Sequence, residues 1–138
     1  MANRWGQQFN YTLEKQVFNL FCQISFGSSG APTLATANAT SAALKGVASV
    51  SRTSTGLFVL TLQDSWRKLL LFAGSWDTSG ASSAAPVAPI IYVVTNSITS
   101  VPGSITFKTG DYVNGAVADP ANGEILRLKI VVGNSSAY

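Results

Sequence analysis

The sequence predicts an all-β fold, a single-domain β-sandwich or small barrel of about seven strands, on three observations. Period-two alternation of apolar residues is the dominant signal, turn formers separate the apolar segments, and no stretch sustains helical periodicity. The 138 residues amount to one domain, residues 1–138, with an N-terminal arm over 1–16 and a long loop over 77–89.

The elements follow in order. In "VFNLFCQISFG", Phe18, Leu20, Cys22, Ile24 and Phe26 share one face and Asn19, Gln23 and Ser25 the other, with Phe21 the exception. This is a strand with Cys22 in its buried row. The preceding "YTLEKQ" has room for a single helical turn, too short to stand alone. "FGSSGAPT" breaks the chain, and "LATANATSAALKG" reads as a long unpatterned loop whose alanines leave a short helix open. Val47 to Arg52 and Leu57 to Leu62 then flank "TSTG" as an antiparallel hairpin. Phe58, Leu60 and Leu62 face one side; Leu57 and Val59 make the other side apolar as well, which predicts a central or doubly covered strand. After the "DSW" turn, "RKLLLFAGSW" returns as a strand. "DTSGASSAAPVAP", Asp77 to Pro89, is a loop of small residues, a plausible contact arm or a plain linker. "IIYVVTNS", "ITFKTG" and "EILRLKIVV" supply the remaining strands, the last alternating Leu126, Leu128, Ile130 and Val132 against Arg127 and Lys129. The expected core is Phe18, Leu20, Ile24, Phe58, Leu60, Leu62, Leu126, Leu128 and Ile130.

Composition narrows the function. Hydrophobic residues make up 46% and charged residues 11%, against about 25% charged in a typical soluble domain. Either Ser, Thr, Asn and Gly solvate the surface, or some of it meets another subunit. The nine Lys and Arg against six Asp and Glu give +3 with no run longer than Arg67-Lys68, which argues against a nucleic-acid partner. "MANRWGQQFN" lacks the apolar segment of a signal peptide and no stretch approaches the roughly 18 apolar residues of a membrane span. The expectation is a chain made in the cytosol, soluble, with no membrane partner.

Catalytic chemistry is poorly supplied, and the expectation is a non-enzyme. The absence of histidine removes the commonest general base and metal ligand. The single cysteine forms no internal disulfide and, in an apolar row, is a core residue before it is a nucleophile. No phosphate-cradling loop is present. Asp119 and Glu124 are the one carboxylate pair that invites a glycosidase reading, but Asp-Pro and Asn-Gly in "DPANGE" are turn formers by their own backbone chemistry. No catalytic residue, cofactor or metal is assigned. The aromatics are better candidates. Arg4, Trp5, Phe9 and Tyr11 precede the first strand and Trp76 borders the long loop; Trp, Tyr and Arg are the types enriched at interface hot spots. The same residues are equally able to cover their own subunit's core, and an exposed aromatic also stacks on sugar rings.

The segments "RWGQQFNYTLEKQVFNLFCQISFGSSGAPTL", "KGVASVSRTSTGLFVLTLQDSWRKLL" and "DPANGEILRLKIVVGNSSAY" together resemble a group of small virion structural proteins of tailed bacteriophages. The resemblance covers most of the chain in overall pattern, without a motif. It implies a capsid decoration or cement protein, commonly a homotrimer, on the outer capsid surface of the virion, bridging neighbouring copies of the major capsid protein. The interface residues named above rest on the hot-spot argument and not on the resemblance. The alternatives left open are a carbohydrate- or receptor-binding module associated with a tail or head fibre, and a minor tail or head-completion component.

Overall fold

The computed structural model describes residues 17–35, 44–80, 90–111 and 115–134. The architecture is all-β, two antiparallel sheets packed face to face as a sandwich, with no closed barrel. The strands are β1 (Val17–Phe26), β2 (Pro32–Leu34), β3 (Leu44–Lys45), β4 (Val47–Ser54), β5 (Leu57–Leu62), β6 (Lys68–Asp77), β7 (Ile90–Ser97), β8 (Ser104–Gly110) and β9 (Ile125–Gly133). One sheet runs β2-β1-β9-β6, with β3 pairing further along β1; the other runs β4-β5-β8-β7.

Alternation decides which side of each strand is dry. Leu20, Cys22, Ile24 and Phe26 of β1, and Leu126, Leu128, Ile130 and Val132 of β9, face Phe58, Leu60, Leu62, Ile105 and Phe107 of the opposing sheet. Phe58 stacks on Phe107 with ring centroids 5.5 Å apart and meets Phe26 edge-on at 5.3 Å, so rings from both layers interlock at the centre. β5 lies between β4 and β8, the central place its two apolar faces predict.

Both ends of the sandwich are tied by loop hydrogen bonds. At one end the Trp66 N–H donates to the Ile98 carbonyl at 2.7 Å and the Leu62 N–H to the Gly103 carbonyl at 2.8 Å, joining the β5–β6 and β7–β8 turns. At the other, the Gly123 N–H donates to the Phe26 carbonyl at 2.8 Å and the Phe26 N–H to the Glu124 carbonyl at 2.9 Å.

The structure corrects several expectations. Pro32–Leu34 and Leu44–Lys45, expected as break and loop, add to the edge of β1. Pro32 is tolerated because it opens an edge strand. The β4–β5 connection is shorter than "TSTG": β4 continues to Ser54 through an irregularity between Arg52 and Ser54, leaving Thr55-Gly56 as the turn. Gly56 has φ +61, and a Cβ there would stand 2.8 Å from the Thr109 and Ala118 carbonyl oxygens. Phe18 is only partly buried, tilted against Trp66 at 4.9 Å. Asp77 closes β6 and does not open the loop. The YTLEKQ turn and most of the two long loops lie outside the described residues.

Candidate functional site

The feature that stands out is the outer face of the β1–β9–β6 layer. Register fixes its rows: Val17, Gly133 and Lys68; then Asn19, Val131 and Leu71; then Phe21, Lys129 and Ala73; then Gln23, Arg127 and Ser75; then Ser25, Ile125 and Asp77. On such a face the residues directly opposite one another are within touching distance. Its first three rows place apolar side chains in water: Val17 is 55% exposed, Leu71 45% and Phe21 37%. A β-bulge between Leu69 and Leu71 puts Leu70 outside the ladder, half exposed.

A shallow groove of about 270 Å³ runs across β9 between Phe21 and the Ala73–Ser75 stretch, with Arg127 and Lys129 along it. Gly74 also lines it, but a Cβ there would point away from the groove into the core, 2.8 Å from Leu126 Cδ1 and 3.0 Å from Leu128 Cδ2. Arg127 is held in place by Asp77, whose Oδ2 accepts from Nη1 and Nη2 at 3.1 Å each. Hydrogen bonds from the Ser79 hydroxyl and amide, and then from Arg127, keep the Asp77 carboxyl below its usual range. A second exposed apolar group sits on the other sheet, on its outermost strand β7: Ile90, Tyr92 and Val94.

Asp119 and Glu124 occupy structural places. The Asp119 carboxylate accepts from Arg52 Nε at 3.0 Å and Nη2 at 2.7 Å, and from the Gly56 N–H at 2.7 Å. The Arg52 hydrogen bond leads in holding its carboxyl below the usual range. It also packs on Gly30, where any Cβ would come within 2.7 Å of it. Asp119 thus clasps the β4–β5 turn and the turn after β1. Glu124 is fully buried and its Oε2 accepts from the Ala121 N–H at 2.9 Å, closing the turn before β9. Among the described residues no group of three or more His, Cys, Asp or Glu is placed to hold a metal.

Of the residues singled out from sequence, Arg4, Trp5, Phe9 and Tyr11 lie outside the described residues. Trp76 is partly buried, 5.7 Å from the Phe26 ring and packed on the core, with its indole nitrogen shielded from solvent; it covers its own subunit. The chain matches no protein family, no curated protein and no solved structure. Sequence reasoning passed over Phe21, Leu71 and Lys129. Phe21 did leave a signal, as the one apolar residue on the polar side of β1.

Proposed function

We propose that the protein is a non-enzymatic virion structural protein, a capsid decoration or cement protein that bridges and stabilises neighbouring major capsid subunits and works as a homotrimer on the outside of the head. The observation that carries this reading is the exposure of apolar side chains on the outsides of both sheets, Val17, Phe21 and Leu71 on one and Tyr92 and Val94 on the other. A bridging protein needs two contact surfaces, and a domain with few charges gains most from covering them. The turn roles of Asp119 and Glu124 are in keeping with a protein that does no acid–base chemistry. The chain-wide resemblance to small virion structural proteins points the same way. A sugar-binding module draws less support, because Trp66 and Trp76 both pack against the core.

Purified heads mixed with the protein test the proposal. A cement protein pellets with heads at several hundred copies per particle and raises the temperature at which they open; a handful of copies, or no gain in head stability, favours a fibre or connector component. Sedimentation velocity of the free protein gives a trimer, and a monomer at all concentrations defeats the trimeric assignment.

A further inference from the structure

The geometry points to the outer face of the β1–β9–β6 sheet, around Phe21, Leu71 and Lys129, as a docking surface for an acidic and apolar segment of another protein. This rests on the reading of the chain as a binding module, and adds the chemistry of what is bound and the side that binds it.

Charge complementarity identifies the occupant. The apolar rows of this face merge into a basic one: Lys129 lies between Phe21 and Ala73, Arg127 between Gln23 and Ser75, and Lys68 closes the row of Val17. The one acid among the described residues of the face, Asp77, is already bonded to Arg127 and Ser79. Arg127 is therefore fixed in place while its side chain stays 49% exposed. A guanidinium paired this way keeps further donors for a second carboxylate and is ordered at a reduced cost.

This chain is a poor source of the matching segment. Of its six acids, Asp77 and Asp119 are tied to arginines, Glu124 is buried, and Asp64 and Asp111 follow β5 and β8 at opposite ends of their shared ladder, so they form no acidic segment. The arm over residues 1–16 carries Arg4 and Lys15 against Glu14, a net positive segment that the same cations repel. A two-fold pairing of the face with itself sets Lys129 and Arg127 against their own copies. The acids must come from another protein, with apolar side chains to cover Phe21 and Leu71. A nucleic acid would satisfy the cations and leave the aliphatic rows wet.

Amide NMR shifts of the full-length protein, titrated with the acetylated peptide Asp-Glu-Phe-Asp-Leu-Glu-Asp, test the proposal. The expected shifts centre on Phe21, Ala73, Arg127 and Lys129. Binding weakens as sodium chloride rises from about 0.05 M to about 0.5 M. Lys129→Glu and Phe21→Ser each weaken it by about tenfold or more. Both side chains are on the solvent side, so both variants should melt as the wild type does; Lys129→Gln repeats the test with a milder change. Equal binding of Asp-Glu-Ser-Asp-Ser-Glu-Asp or of an oligothymidylate, shifts centred on β7, or variants that bind like wild type would overturn the assignment. Head pelleting separates this from the capsid reading. Wild-type protein that takes the peptide on this face but ignores heads sinks the capsid role alone, whereas heads that retain Lys129→Glu as well as wild type remove this face as their contact.

Discussion

At the scale of single residues, chemistry is suppressed where the fold needs quiet and fixed where it needs a clasp. Cys22 sits 3% exposed in the inner row of β1, and burial pushes its thiol up to about 12. Only the thiolate is nucleophilic, so native protein at pH 8 should resist dithionitrobenzoate for as long as it stays folded, and label fully in guanidinium. Prompt stoichiometric labelling of native protein would contradict the burial. Asp119 makes a second prediction, on pH. Its carboxyl is held below the usual 3.8 by Arg52 and Gly56, so the unfolded chain takes up its proton first as pH falls. The stability it contributes is complete above the unfolded value and is lost as pH drops below 3.8 towards the folded value. Asp119→Asn should lower stability at pH 7 and flatten the acid limb of a denaturation-midpoint curve between about pH 5 and pH 2. Asp77, depressed chiefly by Ser79, keeps some of that limb in the variant. Identical acid limbs in variant and wild type would count against the clasp.

At the scale of elements, the inner and outer rows of one sheet should respond to truncation by very different amounts. Leu128 of β9 is 2% exposed between the sheets, and Leu128→Ala should cost about 2–5 kcal/mol in urea denaturation. Leu71→Ala, on the outer row of the neighbouring strand, should stay within about 0.5 kcal/mol yet weaken partner binding. Gly74→Ala pushes a methyl group into Leu126 and Leu128 and should cost about 1–3 kcal/mol, as overpacking does; a neutral result would mean that β6 shifts freely. Of the seven longer strands, β1, β8 and β9 were legible because their apolar spacing matches the pleat, β7 from its β-branched residues, β4 and β5 from the turn between them, and β6 only as an apolar return after the DSW turn. Pro32–Leu34 and Leu44–Lys45 were not, being too short to carry a period and held only by pairing to β1. The side that Trp76 faces was hidden for a different reason. Leu70 is an extra residue in β6, and one inserted residue inverts the parity that sequence alternation relies on. The candidate face was hidden because Phe21 and Lys129 are neighbours only through the pairing of β1 with β9, which no local pattern displays.

At the scale of the whole molecule, the first and last long strands of the described chain lie side by side, and β9 is bordered by both β1 and β6. Its sheet cannot assemble until the last strand is available. A chain cut after Glu124 should therefore show no cooperative thermal transition, while the intact chain, dominated by such distant pairings, should refold in milliseconds to seconds in stopped-flow fluorescence. A cooperative transition in the shortened chain would mean that the β4-β5-β8-β7 sheet folds alone. The same pairing governs how the molecule bears load. Val17 at the start of β1 is opposite Gly133 at the end of β9, so a pull applied through those two ends is directed along the ladder's hydrogen bonds. The bonds then break in succession, like the teeth of a zip, without ever sharing the tension. A lattice that swells from within would open such a molecule easily if it were tethered by those two ends. A pull that drew β1 and β9 past one another, from Val17 and Ile125 at opposite ends of the ladder, would load all those bonds together, and that is the direction in which the pair is strong.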